Sequence, residues 1–229
     1  MSGLLLLRNM RRDSFGSTGA EMGGKSLSRR FQAMAERVRL RRMIRHWQRR
    51  DYAAPSPHAI KQAVLRRHHI PGATWVETGT ASGDTTAFLS GFAPQVYTIE
   101  PQQEFHRAAV ARFSGLSHVE PLLGTSEEVF PDLVARLSGD LCLWLDGHYS
   151  GGNTFSAAMD TPIRRELEVL ARHLPRLGRV AVLIDDIRCF DPEIPDFRDY
   201  PPLDDLVDWA RQTGLKWHIE HDILIARTP

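Results

Sequence analysis

From residue 73 onward, short apolar runs alternate with amphipathic stretches, and this alternation limits the folds available to the chain. The apolar runs predict strands at 73–78, 95–99, 118–122, 140–145, 179–184, 215–220 and 222–227. The stretches between them predict helices at 84–91, 102–113, 126–137, 160–174 and 202–213. This order is typical of a doubly wound α/β sheet with helices on both faces. The last two strands leave no room for a helix between them. We therefore expect seven strands, mostly parallel, with an antiparallel C-terminal hairpin.

The beginning of the chain is basic, whereas the remainder is acidic. Residues 1–50 contain 13 Lys and Arg and three Asp and Glu, a net charge of +10, which leaves 16 basic and 25 acidic residues, or −9, for the rest. Residues 1–25 show no periodicity and are predicted to be disordered. Residues 26–56 are interpreted as a basic helical arm and a linker. Residues 57–229 form the predicted α/β domain.

The arm carries apolar side chains on two opposite faces of its predicted helix over 26–50. This pattern predicts either a break near residue 39 or a helix packed on two sides. We favour a solvated or an inter-subunit helix, and the second of these would make the protein a homo-oligomer through the arm. The arginines leave open contact with nucleic acid or an anionic membrane. An acid-poor, Arg- and Ser-rich start also leaves open a transit peptide.

The two cysteines give the expected compartment. Cys142 and Cys189 lie far apart without a C-x-x-C pattern, so neither a disulfide framework nor a zinc site is indicated. The run Leu4–Leu7 is too short for a signal-peptide core or a membrane span. These features favour a reducing, cytoplasmic location.

A glycine-containing loop follows the first predicted strand, with the pattern E-x-G-x-x-x-G at Glu77, Gly79 and Gly83. Glycines let a backbone turn sharply and approach a ligand. The carboxylate two residues before Gly79 would repel a pyrophosphate but attract an amino-acid ammonium. The loop therefore favours S-adenosylmethionine (SAM) over a dinucleotide. The small residues Thr80 and Ser82 are included in the predicted cofactor contact.

Two further strand ends extend the predicted cofactor site. Glu100 ends the second strand, where its carboxylate could accept hydrogen bonds from both hydroxyls of a ribose. After the third strand, Gly124 and Ser126 lie where the adenine edge is expected. Ser126 is equally suited to be a helix N-cap, and the sequence leaves both roles open.

Three aspartates follow two very apolar strands and form the predicted metal site. Asp146 ends one strand, and Asp185 and Asp186 end another. If the strands are neighbours, three like charges converge, which is costly unless a cation joins them. Ligands that are all oxygen suit Mg²⁺, with water and substrate oxygens completing the shell.

With these motifs, the chain from about residue 57 to 229 resembles the class I SAM-dependent methyltransferases, which have a Rossmann-like fold. "LDGHYSGG" followed by "LIDDIR" is similar to the metal-dependent O-methyltransferases of the macrocin and catechol groups. It most resembles a bacterial branch found with polysaccharide or natural-product genes. The resemblance implies that the cofactor site includes Glu77, Gly79, Glu100 and Ser126, and that Mg²⁺ is held by Asp146, Asp185 and Asp186. Thr125 departs from the pattern, since many relatives carry an acid there.

The resemblance does not supply a general base for this chain. The catechol O-methyltransferases carry a lysine shortly after the first metal aspartate, and this chain has none there. The three lysines are Lys25, Lys61 and Lys216, none of them near residue 146 in the sequence. His148, whose type has an unperturbed pKa of about 6.5, is the predicted base. Stacking of His148 on the cofactor is an alternative role, and Tyr149 is a weaker candidate for the base.

Together these features predict an enzyme that transfers a methyl group from SAM, with Mg²⁺, to a hydroxyl of a small molecule or a sugar or glycan. Asp146 is expected to serve both metal and cofactor. The loops 150–160 and 187–201 are predicted to cover the acceptor. The alternatives are an RNA or protein methyltransferase recruited by the basic arm, and a non-catalytic SAM-binding protein.

Overall fold

The structure is a computed structural model that describes residues 23–147 and 161–229. The chain divides into two compact units, Met1–His46 and Trp47–Pro229. Cys142 and Cys189 are both free and buried. Among the described residues, every helix is too short or too polar to cross a membrane.

The first unit is described from residue 23, and all of its described residues belong to helix α1, Gly23–Gln48. The helix predicted over 26–50 is confirmed, and α1 also takes in residues 23–25, which were predicted to be disordered. The backbone is helical through residue 39. Of the two explanations offered for the opposite apolar faces, the break near residue 39 is therefore wrong. The rest of the predicted disordered segment lies outside the described residues.

Trp47, at the end of α1, belongs to the second unit although the sequence assigned it to the arm. Its side chain is buried, and its indole Nε1 donates a hydrogen bond to the Ala53 carbonyl at 2.9 Å. Its ring also meets the rings of Tyr52 and His221 edge-on. The chain around residues 47–53 is therefore packed with the α/β domain.

The second unit has the predicted alternation of helices and strands. Its helices are α2 (His58–His68), α3 (Asp84–Ser90), α4 (Gln103–Phe113), α5 (Ser126–Arg136), α6 (Ile163–His173) and α7 (Leu203–Gln212). Its strands are β1 (Thr74–Thr78), β2 (Val96–Glu100), β3 (Val119–Leu123), β4 (Gly139–Leu145), β5 (Leu177–Ile184), β6 (Lys216–Glu220) and β7 (Ile223–Arg227). Apart from α2, each of these elements lies within a few residues of its predicted position.

The seven strands form one sheet in the order β3-β2-β1-β4-β5-β7-β6. Neighbours from β3 to β5 are parallel, and β7 pairs antiparallel with both β5 and β6. The predicted fold class and C-terminal hairpin are confirmed. The strand order reverses between β1 and β4, which is where open α/β sheets bind ligands, at the carboxyl ends of the strands.

Consecutive strand residues face opposite sides of the sheet, and each side is covered by helices. On one side, Val76 and Leu143 pack with Phe130 of α5 and other residues of α5, α6 and α7. On the other side, Trp75 and Trp144 pack with residues of α2, α3 and α4. Burial on both faces explains why the central strands are continuously apolar up to the polar residues that end them.

Candidate active site

The loop between β1 and α3 turns through three left-handed residues, Gly79 (φ 88°), Ala81 (φ 44°) and Gly83 (φ 75°). A Cβ on Gly79 would lie 2.7 Å from the backbone oxygen of Asp146, and a Cβ on Gly83 would lie 3.1 Å from the Phe113 ring. The sequence predicted that these glycines admit a ligand. In the structure, Gly79 lets the loop after β1 approach the end of β4.

Glu77 lies beneath this loop and is fully buried. Its Oε2 accepts hydrogen bonds from the hydroxyls of Thr86 and Thr98, the second at 2.8 Å. Burial raises the pKa of Glu77 to about 7; the two threonine hydroxyls lower it and Glu100 raises it further. The predicted cofactor acid is thus engaged by the protein's own hydroxyl groups.

Glu100 lies at the end of β2, as predicted, and its carboxylate ties two backbone segments together. Oε2 accepts from the Ala81 N–H at 2.8 Å, and Oε1 accepts from the Gln102 N–H at 2.9 Å. Glu100 thereby fixes the glycine loop against β2. Of the two other predicted loop residues, Thr80 is buried against Thr98, with hydroxyls 2.6 Å apart, whereas Ser82 is exposed.

At the end of β3, the N-cap residue of α5 is Thr125, not Ser126 as one interpretation of the sequence had it. The Thr125 N–H donates to the Glu128 carboxylate at 3.2 Å in a capping box. The cap gives Thr125 a structural role of its own. Ser126 is the first helical residue, and its buried Oγ has no hydrogen-bond partner of good geometry in the described chain.

A second buried acid, Glu166 of α6, lies beside Ser126 and was missed in the sequence. Both of its carboxylate oxygens are buried without a well-formed hydrogen bond to any described residue. Burial raises the pKa of Glu166 to about 7, and the nearby hydroxyls of Ser126 and Thr78 lower it to a smaller extent. The helical spacing could have indicated that Glu166 is buried, because Glu166 lies three residues after Ile163 on the face of α6 that packs inward.

The structure brings Asp146, Asp185 and Asp186 together, as the sequence predicted. Leu145 of β4 pairs with Ile184 of β5, so the acids that follow them emerge side by side. One carboxylate oxygen from each aspartate can be chosen so that all three lie within 4.8 Å of one another. Asp185 is fully buried, and its Oδ1 has no hydrogen-bond partner among the residues described.

Lys61 of α2 completes this cluster. It is far from residue 146 in the sequence, and the fold brings its side chain to the aspartates. Its Nζ forms ion pairs with Asp185 Oδ2 and, at 2.9 Å, with Asp186 Oδ1. Arg188 donates to Asp186 at 2.7 Å and also pairs with Asp222. Asp186 itself adopts a left-handed backbone (φ 51°), which aspartate tolerates better than most residues.

These ion pairs set the charge state of the cluster. Burial and the neighbouring Asp185 raise the pKa of Asp146 well above its usual range. Burial also raises the pKa of Asp185, to about 6, against the opposing effect of Lys61. Asp186 is also desolvated, yet Arg188 and Lys61 outweigh this and hold its pKa below the usual value. For Lys61, burial opposes the charge, but Asp185 and Asp186 raise its pKa above the ordinary value.

The predicted base and one predicted loop lie outside the described residues, namely His148, Tyr149 and 150–160. The other predicted loop, 187–201, contains two short 3₁₀ turns, Ile187–Cys189 and Pro195–Phe197. Beside it lies an open cleft of about 520 Å³. Its lining is formed by Ala54, Ile187, Arg188, Phe190, Asp191, Leu203 and Asp222.

Comparison with solved structures identifies the fold. The N-methyltransferase NodS from Bradyrhizobium japonicum WM9 aligns with a TM-score of 0.51 and 14% identity, over 74% of this chain and 94% of that chain. The second unit has a Rossmann-like methyltransferase fold. No family model matches the chain, and no curated protein sequence matches it.

Two other solved structures align with lower TM-scores. An rRNA methylase from Streptococcus thermophilus has 18% identity and a TM-score of 0.44, over 76% of this chain and 96% of that chain. Fibrillarin from Aeropyrum pernix, with natively bound SAM, has 15% identity and a TM-score of 0.45, over 74% of this chain and 73% of that chain.

Proposed function

We propose that the chain is a SAM-dependent O-methyltransferase that uses Mg²⁺ and acts on a hydroxyl of a small molecule or glycan. The observation that carries this proposal is the convergence of Asp146, Asp185 and Asp186 at the carboxyl ends of β4 and β5. They lie next to a glycine loop whose Gly79 packs on the backbone of Asp146. A methyltransferase fold with this pairing of sites suits a methyl donor and a cation-bound acceptor.

The residues at the ends of β1, β2 and β3 are suited to the methyl donor. The Glu100 carboxylate accepts one backbone N–H on each oxygen and keeps further lone pairs for the two ribose hydroxyls. Ser126, whose buried Oγ lies near Glu166 without a well-formed hydrogen bond to any described residue, is proposed to meet the adenine edge. Glu77 and Asp146 supply negative charge for the ammonium of the methionine part, while the loop 79–83, with Thr80 and Ser82, fits around the ligand.

The tri-aspartate cluster fits a divalent cation in charge and in donor type. With all four ionised, Asp146, Asp185, Asp186 and Asp222 would carry four negative charges, of which Lys61 and Arg188 would offset two, leaving a balance of −2. The buried Oδ1 of Asp185, which has no hydrogen-bond partner among the described residues, is an available ligand atom. When bound by these aspartates, Mg²⁺ would neutralise this charge and make a nearby hydroxyl more acidic.

The proposed reaction is a direct displacement. The acceptor hydroxyl loses its proton to a base, its oxygen forms a bond to the methyl carbon, and the carbon–sulfur bond breaks with the electron pair going to sulfur. His148, two residues after Asp146, is the proposed base. Asp146, Asp185 and Asp186 would hold the cation, which would supply positive charge for the acceptor oxygens, so a vicinal diol or a hydroxy acid is the proposed acceptor class.

The proposal is tested by incubating the full chain with methyl-labelled SAM and a panel of catechols, sugars and hydroxy acids. Label transfer that stops in EDTA and returns with Mg²⁺ supports it. Transfer that is unaffected by EDTA would remove the metal from the mechanism. Label in RNA or protein instead would favour the alternative acceptors, and SAM binding without transfer to any acceptor would favour a non-catalytic SAM-binding protein.

A further inference from the structure

Lys61 occupies an unusual position for a lysine. On α2, Lys61 begins the stripe that continues through Val64, Leu65 and His68, the positions i, i+3, i+4 and i+7 that face the domain interior. Its side chain is only 15% exposed and ends on a fully buried aspartate, Asp185. A buried lysine is costly unless its charge is matched, so this position points to a specific role.

The choice of lysine over arginine is also informative. Lysine accounts for only three of the 29 Lys and Arg residues in the chain. Arginine forms a broad, planar fork, whereas lysine is a compact point charge on a flexible stem. A compact cation can lie between two carboxylates that also face a third, as Lys61 does between Asp185 and Asp186.

The ion pairs leave a particular set of oxygens for another cation. Lys61 takes Asp185 Oδ2 and Asp186 Oδ1, and Arg188 shares the latter. Asp185 Oδ1 stays unpartnered within the described chain, and the three aspartates still offer one oxygen each within 4.8 Å. A positive charge already bound to two of three metal ligands must oppose the arrival of a second cation.

We propose that Lys61 is a positioning residue that acts as the resident counter-cation of the tri-aspartate cluster and weakens its affinity for a divalent cation. This inference rests on the proposed function, because it assumes that Asp146, Asp185 and Asp186 bind the metal. In the absence of metal, Lys61 keeps the aspartates together. Lys61 also lowers the affinity of the acceptor-free protein for the divalent cation. Oxygens of the acceptor would therefore contribute more to holding the ion.

The test measures Mn²⁺ binding to the full chain by electron paramagnetic resonance, with Mn²⁺ as the visible probe of a Mg²⁺ site. Lys61→Met should bind Mn²⁺ roughly tenfold or more tightly than the wild type, because one positive charge has been removed next to the ligands. Lys216→Met removes an equal charge from β6, at an exposed position, and should leave the affinity unchanged. Lys61→Arg, which keeps the charge, should bind more weakly than Lys61→Met.

Controls separate this inference from the proposed function. Urea unfolding establishes that Lys61→Met is folded, and Lys61→Gln provides a second neutral variant if it is not. If the wild type binds Mn²⁺, Asp185→Asn abolishes that binding, and Lys61→Met binds no more tightly than the wild type, the inference is overturned while the metal site stands. If neither the wild type nor the Lys61 variants bind Mn²⁺, the proposed metal site fails as well.

Discussion

The acids at the ends of β4 and β5 face cations, whereas the acids around the end of β1 face hydroxyl groups. Asp185 and Asp186 share Lys61, and Asp186 also meets Arg188. Glu77 is hydrogen-bonded to Thr86 and Thr98 instead. Similar carboxylates along one sheet edge are therefore stabilised in different ways, by ion pairs at the ends of β4 and β5 and by hydroxyl groups at the end of β1.

The same difference appears when the pKa of Asp186 is compared with those of Glu77 and Glu166. Glu77 and Glu166 have pKa values raised to about 7 by burial, with only hydroxyl groups to offset it. Asp186 is also desolvated, yet its two cationic neighbours hold its pKa below the usual value. Neutralising Asp186 and neutralising Glu166 should therefore have opposite effects on stability.

The largest expected effect is in the cationic region. Asp186→Asn would leave both Lys61 and Arg188 without an ionised partner at position 186, in a largely buried setting, and we expect the free energy of unfolding to fall by about 3–5 kcal/mol. The control is Asp208→Asn, which breaks the exposed pair with Arg211 and should cost less than about 1 kcal/mol. Urea unfolding at neutral pH measures both, and equal losses would contradict the difference between the regions.

The opposite sign is expected for Glu166→Gln in the ligand-free protein. The folded pKa of about 7 lies above the reference value of 4.5, so ionisation costs stability as the pH rises from 4.5 through 7. Glutamine does not ionise, and the variant should be more stable than the wild type by about 3 kcal/mol at pH 8 and by little at pH 4. Urea unfolding of both proteins between pH 4 and pH 8 tests this prediction. A variant less stable than the wild type at pH 8 would show that the Glu166 carboxylate has a stabilising partner.

Gly79 is the point at which the two regions touch, and a side chain there should disturb both. Gly79→Ala combines a left-handed φ of 88° with a Cβ placed 2.7 Å from the Asp146 oxygen, so we expect a loss of about 2–3 kcal/mol. Gly72→Ala is the matched control, since its φ is 84° but its Cβ would meet no atom within 4 Å. It should cost about 1 kcal/mol. Equal losses would mean that only the backbone angle matters at Gly79.

The smallest effect is expected where a hydroxyl stabilises Glu77. Thr86→Val removes one of two hydrogen bonds to a buried carboxylate while keeping the shape, at an expected cost of about 1.5 kcal/mol. The loss should be greater at pH 8 than at pH 5, because the hydroxyl lowers the Glu77 pKa and so favours the ionised form. Thr86→Ser, which keeps the hydroxyl, should lose less at pH 8. A loss that does not depend on pH would show that Thr86 acts only by packing.

The features that could be predicted from the sequence are those that depend on local residue patterns, such as strands and the residues that end them. Strand ends were visible as apolar runs that stop at an acid, and parallel strands in one sheet must bring such ends together, so the meeting of Asp146 and Asp185 could be foreseen. Lys61 could not be placed, because its contact with Asp185 spans 124 positions and depends on how α2 packs. The role of Glu77 was also beyond the sequence, since the threonines that bind it come from two other elements.

The most direct test of the account measures SAM affinity by calorimetry for the wild type, Glu100→Gln and Asp185→Asn. The account assigns SAM to the ends of β1 to β3 together with Asp146, and the cation to Asp146, Asp185 and Asp186. The wild type should bind SAM, Glu100→Gln should bind it more weakly by about 1.5–3 kcal/mol, and Asp185→Asn, where folded, should bind it nearly as well as the wild type. No binding by the wild type, or an Asp185→Asn affinity reduced as much as that of Glu100→Gln, would contradict this division.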